Sequence, residues 1–215
     1  NIGLQVRSKR NDQYHNIQTI FQEIDLYDSL KVTKINKGID FKSNVSWLKN
    51  DDSNLCVKAY KRMNSIFKIG GIRIDLTKRI PVYAGLGGGS SNAATILSCI
   101  NKLYNMRLSS QYLESIGSSL GADVPFFING GAQLGEGIGD QLTPIKHKLN
   151  KKFLIVLPNI NIDTSWAYSE IKTILDKSKK FVNLHDCLKK KEISFEKFDN
   201  DFEKIIIPAY PEIGN

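Results

Sequence analysis

Long apolar runs are missing from this chain: no stretch approaches the ~18–20 residues that a membrane-crossing helix needs. Cysteine is scarce. Cys56, Cys99 and Cys187 are odd in number, widely spaced and never in a C-x-x-C pair, which argues against a disulfide scaffold or zinc ribbon and for a reducing, cytoplasmic setting. The three histidines, His15, His147 and His185, show neither H-x-x-x-H nor H-E-x-x-H spacing, so a metal site built from protein ligands alone is not expected. Arginine is also rare. Of 30 basic residues, 24 are Lys and 6 are Arg, whereas bidentate contacts to phosphates and base edges favour Arg. The lysines are scattered, with one tight run at Lys189-Lys190-Lys191, and they come with 27 Ile and 18 Asn, which share A/T-rich codons. Codon bias therefore accounts for much of the net charge of +8. Neither a nucleic-acid nor a membrane partner is expected. Internal repeats and low-complexity tracts are lacking as well.

What is present is globular. With 215 residues, 41% hydrophobic and 24% charged, the chain suits one large or two small domains, and either buries a core. Ile2, Leu4 and Val6 alternate as in a half-buried strand. Ile17, Ile20, Phe21 and Ile24 fall at helical spacing over 16–23. Segments 30–35 and 72–76 read as strands. Asp51-Asp52-Ser53-Asn54 caps a helix carrying Leu55, Ala59, Met63 and Ile66. Ser90-Ser91-Asn92 caps the clearest helix, whose Ala93, Leu97, Ile100 and Tyr104 form one apolar face. Another helix starts near Ser109, carries Leu113, Ile116 and Leu120, and stops at Gly121. Residues 124–128 read as a buried extended piece, 129–131 and 135–139 as turns, 153–157 as a short buried strand and 165–175 as a helix with Trp166, Ile171, Ile174 and Leu175. Without a regular βαβα alternation, the fold class is α+β. The Lys- and Asn-rich stretch 146–152 is the expected domain boundary, dividing the chain into 1–150 and 151–215. The chain opens inside an alternating segment with no Met and closes on what looks like the approach to another element, so a fragment is expected.

The most informative segment is Pro81-Val82-Tyr83-Ala84-Gly85-Leu86-Gly87-Gly88-Gly89-Ser90-Ser91-Asn92-Ala93-Ala94. It lies between a strand and the best helix. Glycines let a backbone approach an anion closely, and a helix N-terminus adds free N–H groups and the positive end of its dipole. Two standard phosphate motifs do not fit. No Lys follows the glycines as a Walker loop requires, and the segment ends in Ser where G-x-G-x-x-G needs Gly.

P-x-x-x-G-L-G-G-G-S-S-N-A-A resembles the second motif of the GHMP kinases. Three further segments are similar to the branch of that superfamily that acts on a cytidine-diphosphate-linked methylerythritol: Arg10-Asn11-Asp12-Gln13-Tyr14-His15-Asn16-Ile17-Gln18-Thr19, Leu120-Gly121-Ala122-Asp123-Val124-Pro125-Phe126-Phe127, and Gly135-Glu136-Gly137-Ile138-Gly139-Asp140. The similarity runs in order from residue 1 to about 176.

The resemblance implies a two-domain fold: an N-terminal mixed sheet with helices, and a C-terminal α/β sandwich that is incomplete here. It implies a kinase that uses ATP and Mg²⁺ and carries a γ-phosphoryl group to a substrate hydroxyl, on the non-mevalonate route to isoprenoid precursors. The alternative is a GHMP kinase for another small alcohol, such as homoserine or mevalonate; Tyr14-His15 and the G-A-D-V-P segment fit the first better. Residues 81–91 would hold the phosphates, with Ser90 the guess for a Mg²⁺ ligand. Asp123 corresponds to the catalytic base; read alone, it caps a turn. Tyr14 and His15 match residues used on the cytosine ring, Tyr168 a second aromatic that completes a sandwich, and Asn1 a residue near the transferred group. Read alone, Tyr168 is helix core and His15 a turn histidine. Asn54, Leu55 and Lys78 match positions near adenine. Gln13 stands where the branch has Gly, and a positive φ there would be strained. The family's catalytic Lys and third glycine-rich motif fall outside the chain, so little or no activity is expected of it as it stands. Monomer and homodimer are both compatible with the resemblance.

Overall fold

The computed structural model describes residues 1–82, 84–146, 152–158, 160–171, 184 and 198–214. The chain forms two compact units, one of Asp25–Asn129 and one of Asn1–Ile24 with Gly130–Asn215. The boundary expected at 146–152 falls almost wholly on residues outside this description, as do His147, His185, Cys187 and the lysine run.

The Asp25–Asn129 unit holds strands β3 (Ser29–Ile35), β4 (Ile39–Ser43) and β5 (Gly71–Thr77), with helices α1 (Leu55–Phe67), α2 (Gly88–Leu103), α3 (Ser110–Ser118) and α4 (Phe126–Asn129). The sheet order is β3-β5-β4, with β5 antiparallel to β3 and parallel to β4. Ile72, Ile74 and Leu76 alternate inward along β5 and are sealed from solvent with Val57, Met63, Ile96, Leu97 and Ile100 of α1 and α2. That alternation is the period-2 signature of a sheet with one packed face. Helix α1 begins as the sequence implies: Asn54 is its N-cap, its side chain accepting the Cys56 N–H at 2.9 Å. It ends on Lys68 in the left-handed conformation (φ 52°), where glycine is the usual occupant.

The second unit holds an antiparallel sheet in the order β1-β2-β6-β7 (Leu4–Lys9, His15–Gln22, Ala132–Glu136, Gln141–Pro144). Among the described residues, helices α5 (Thr164–Ile171), α6 (Glu203–Ala209) and α7 (Pro211–Gly214) also belong to it. Leu4, Val6 and Ile17 pack with Ile171 and Ile205. The outer edge of β1 is covered by the segment around Asn200: Leu4 exchanges backbone hydrogen bonds with Asp199 and Asp201, and the Asp201 carboxylate accepts the Val6 N–H at 2.9 Å. No described helix is long and apolar enough to cross a membrane.

Several expectations are corrected. Residues 16–23 are not helical: all but Glu23 belong to β2, a strand central in its sheet and buried on both faces; a doubly buried strand need not alternate, and its apolar residues mimicked helical spacing. The glycine-bearing segments 130–139 are not merely turns but contain β6 and lead into β7, and β4 was not foreseen. Segment 124–128 is not extended: Phe126 opens the short helix α4. Helix α3 stops at Ser118 with Ser119 as its C-cap, ahead of Gly121. Segment 153–157 is neither a strand nor buried. Leu154 is 92% and Val156 77% exposed, and no described strand pairs with it, so its β-branched sequence has no ladder to join. Helix α5 starts at Thr164 and is described to Ile171; 172–175 lie outside the described residues.

Candidate active site

The glycine loop enters from β5 and ends in α2. Gly87 is the N-cap of α2 in the left-handed conformation (φ 65°, ψ 17°), with no side-chain capping bond. This corrects the expected cap: Ser90, Ser91 and Asn92 lie inside the helix, which starts at Gly88. The first helical hydrogen bond runs from Ser91 N–H to Gly87 C=O at 2.8 Å, so the N–H groups of Gly88, Gly89 and Ser90 precede the helical ladder. No capping side chain consumes them. They and the helix dipole are what an anion at this end would meet.

Only glycine suits the start of this helix. A Cβ on Gly87 would lie 2.8 Å from the ring of Phe127, over and above its left-handed backbone. A Cβ on Gly88 would lie 2.9 Å from Ile80 Cγ2 and 3.1 Å from Lys78 Nζ. The glycines thus allow helix, α4 and the strand exit to approach closely.

A cavity of about 330 Å³ opens beside the loop, lined by residues 84–90 with Pro81, Val82, Asn54, Leu55, Lys78, Trp47 and Leu48. Residues far apart in sequence, Asn54, Leu55 and Lys78, are therefore brought to the loop. Tyr83 lies outside the described residues, and Ser91, within the first turns of α2, is not part of the lining. Asn54 is almost fully buried, and besides capping α1 it donates to the Lys49 carbonyl at 3.0 Å, so its amide is committed to the fold. Lys78 donates to the buried Asp28. Cys56 also borders the cavity, but burial pushes its thiol up to about 12, which keeps it protonated and unreactive. Two residues were missed. Trp47, half-exposed at the cavity, could have been flagged as a lone tryptophan in the polar connection from β4 to α1. Asp28 had no local signal, because its partners lie 50 to 64 residues away.

Asp123 sits on the turn between α3 and α4, next to the fully buried Val124 and two residues before Pro125 and the buried Phe126. It does not line the cavity. Its residue surface is open to solvent, yet desolvation by the surrounding protein raises its carboxyl pKa above the ordinary aspartate value. That is the direction a general base near neutral pH requires. Among the described residues no three His, Cys, Asp or Glu converge as a metal cluster. Ser90, in the first turn of α2, offers a hydroxyl at the cavity.

The remaining candidates belong to the other unit. Asn1 donates to Thr19 Oγ1 at 3.0 Å. Tyr14 is 58% exposed and follows Gln13, whose φ is +70°. The strain anticipated for a glycine replacement is therefore real, and it is held by the Arg10–Asp12 ion pair and by the Tyr14 N–H donating to Asp12 Oδ1 at 3.1 Å. His15 is buried, its ring stacked on Tyr168 at 5.5 Å between centroids and 16° between planes; Tyr168 also meets Phe202 edge-on. A base between two rings needs roughly twice the ~3.4 Å rise of stacked bases. None fits between His15 and Tyr168 as they stand, and the open aromatic face here is that of Tyr14.

Comparison with known proteins bears on this arrangement. Residues 54–131 match the family model of the GHMP kinases N terminal domain. A 4-diphosphocytidyl-2-C-methyl-D-erythritol kinase of Clostridium botulinum (strain Loch Maree / Type A3) is 42% identical over 173 residues, covering 80% of this chain and 62% of the relative. A protein of the same name from Clostridium perfringens (strain 13 / Type A) is 39% identical over 194 residues, covering 89% of this chain and 67% of the relative. The chain thus spans about three fifths to two thirds of the length of these curated relatives. The crystal structure of a 4-(cytidine 5'-diphospho)-2C-methyl-D-erythritol kinase superposes with a TM-score of 0.74 at 28% identity, covering 100% of this chain and 76% of that one.

Proposed function

Since this chain belongs to the 4-diphosphocytidyl-2-C-methyl-D-erythritol kinase family of the GHMP kinase superfamily, we propose that it carries the nucleotide site of an enzyme that transfers the γ-phosphoryl group of ATP to the 2-hydroxyl of 4-diphosphocytidyl-2-C-methyl-D-erythritol. The product would feed the non-mevalonate route to isoprenoid precursors. Residues 1–150 form the N-terminal domain in this reading and 151–215 the start of the C-terminal domain, in a cytoplasmic enzyme.

The observation that carries the reading is the uncapped start of α2 behind the left-handed Gly87, facing a cavity. Phosphoryl transfer asks for positioning and charge stabilisation more than for covalent chemistry from the protein. The N–H groups of Gly88, Gly89 and Ser90 hold the phosphates. Asn54, Leu55 and Lys78 line the adenine end, with Trp47 beside them. Mg²⁺, when bound, would neutralise the phosphate charge, and the Ser90 hydroxyl is the group here that would hold it. Asp123 accepts the proton of the attacking hydroxyl. Asn1 matches the position that the family keeps near the transferred group, and Tyr14, His15 and Tyr168 match those it uses on the cytosine, Tyr14 offering its open face for stacking.

The test is turnover. The protein extended to the length of its relatives is incubated with ATP, Mg²⁺ and the cytidine-diphosphate substrate, and with mevalonate or homoserine in parallel. Phosphorylation of the first substrate alone supports the assignment. Phosphorylation of either other alcohol in preference overturns it.

A further inference from the structure

Asp28, the centre of a buried ionic knot, has no role in the chemistry assigned above. Asp28 immediately precedes β3, Lys78 immediately follows β5, and the antiparallel pair Ser29↔Thr77 sets them side by side. Their side chains are 1% and 7% exposed, with 2.5 Å between ammonium and carboxylate. One carboxylate oxygen, Oδ1, accepts the backbone N–H groups of Arg79 and Ile80 at 2.7 and 2.8 Å. The other, Oδ2, accepts Lys78 Nζ at 2.5 Å and Asn92 Nδ2 at 2.9 Å. From the β4 side, Asn44 holds the Lys78 backbone, accepting its N–H at 2.7 Å and donating to its carbonyl at 3.2 Å.

These partners flank the glycine loop. Lys78, Arg79 and Ile80 are the last residues before Pro81, and Asn92 lies one residue beyond Ser91. A single carboxylate therefore links the chain entering the loop to the helix leaving it. Buried ion pairs are seldom a source of net stability, since apolar side chains would fill the same volume at a smaller desolvation cost. Apolar filling, however, does not dictate direction, whereas a fully satisfied hydrogen-bonded set does. Lys78 Nζ also lies under the first residue of α2, 3.1 Å from where a Gly88 Cβ would sit. A lone cation there would oppose the helix dipole. Its pairing with Asp28 removes that conflict.

We propose that Asp28 is a positioning residue of the nucleotide site: its carboxylate ties Lys78 to Asn92 and holds the two ends of the glycine loop at the spacing that lets the N–H groups of Gly88, Gly89 and Ser90 converge on a phosphate. The proposal rests on the loop being an ATP site. Lys78 is then a strut whose ammonium is committed to Asp28.

The experiment is an ATP–Mg²⁺ titration of this chain, followed by Trp47 fluorescence (which reports the cavity) and by calorimetry, for wild type, Asp28→Asn, Asn92→Ala and Asp40→Asn. Asp28→Asn keeps the acceptor for Arg79 and Ile80 but turns an amide toward two donors. ATP affinity falls about tenfold or more, the scale of one lost charge-assisted hydrogen bond. Amide exchange over 85–91 accelerates while that of Leu97 and Ile100 does not. Asn92→Ala removes the helix-side tie at a residue that also borders the cavity and weakens ATP about threefold, less than Asp28→Asn because the carboxylate keeps its other three donors; it serves also if Asp28→Asn does not fold. Asp40→Asn breaks the half-exposed pair with Arg73 in the same sheet and leaves affinity unchanged. Wild type that binds ATP, with Asp28→Asn and Asn92→Ala binding equally well, overturns the positioning role alone. Exchange that accelerates uniformly through α1, α2 and the loop makes Asp28 merely structural and also overturns it. Wild type that binds no ATP overturns the nucleotide reading, and this proposal with it.

Discussion

The two units of the molecule hold their candidate residues by opposite means. In Asp25–Asn129 the glycine loop is framed by residues with no solvent exposure, among them Ile74, Ala93, Ile96 and Leu97, and its entry is pinned by the buried Asp28. In the other unit the candidate substrate residue Tyr14 sits on a surface turn, just ahead of the buried His15 of β2. Gln13 adopts a glycine-like φ, Tyr14 is exposed, and an ion pair at the surface steadies both. Phosphate groups are the same in every nucleotide, so a rigid backbone cradle suits them and is readily tied to a core. Recognition of one particular base needs side chains at the surface, and strain is tolerated there when local contacts over-determine the turn.

The largest expected effect separates chemistry from binding. Asp123→Asn in the extended protein lowers kcat by roughly 10²–10⁴, the scale of general-base catalysis, and leaves ATP affinity within about twofold, because the residue does not line the cavity; quench-flow and calorimetry check the two halves. Its pH dependence has a definite sign. Desolvation raises the pKa of Asp123, so the base becomes active only as pH rises through that raised value. The acid limb of the pH–rate profile therefore lies above the ~3.9 of an ordinary aspartate. A limb at or below that value would show that this setting does not tune Asp123.

Gly87→Leu tests how rigid the cradle is. The added side chain meets the Phe127 ring, and the left-handed backbone costs about 1–2 kcal/mol for a non-glycine residue. ATP binding is expected to drop below detection by calorimetry while the far-ultraviolet circular dichroism is retained. Normal affinity would mean that the loop adapts and that the contrast between the units is false.

Stability should differ along the same line. Leu97→Ala, at a position with no exposure, costs about 2–5 kcal/mol in chemical denaturation. Leu154→Ala, at 92% exposure, changes stability by less than about 0.5 kcal/mol. Comparable losses at the two sites would erase the distinction between packed and open regions. The strained turn is expected to give a smaller change than Leu97, and of opposite sign. Gln13→Gly relieves the positive φ and raises stability by about 0.5–1 kcal/mol, net of the greater freedom glycine has when unfolded. A rise of the melting temperature by a few degrees would show it, and a fall would mean that the Gln13 side chain contributes more than its backbone costs.

Legibility followed the range of the interactions. Helix α1 and its Asn54 cap, strands β3 and β5, and the N-cap of α3 at Ser109 were readable because each is encoded within a few residues. The start of α2 was misplaced because Ser90-Ser91-Asn92 carries the usual capping residue types, whereas glycine takes the cap and frees the N–H groups. Strand β2 was misread because burial of both faces removed the alternation that marks a strand. Among the candidates, the loop and Asp123 were readable from their motifs. Trp47 and Asp28 were not, since one belongs to an unpatterned connection and the other finds its partners across the sheet.

By itself, the sequence determined the family, the glycine loop, the candidate base and the strain at Gln13, because each depends on residue types at short fixed spacing. Only the tertiary structure decided that the helix start is uncapped, that Asn54, Leu55 and Lys78 meet the loop at one cavity, that His15 covers one face of Tyr168, and that Asp28 binds both flanks of the loop. Those features depend on strand register and helix packing, which bring together side chains that no local pattern connects.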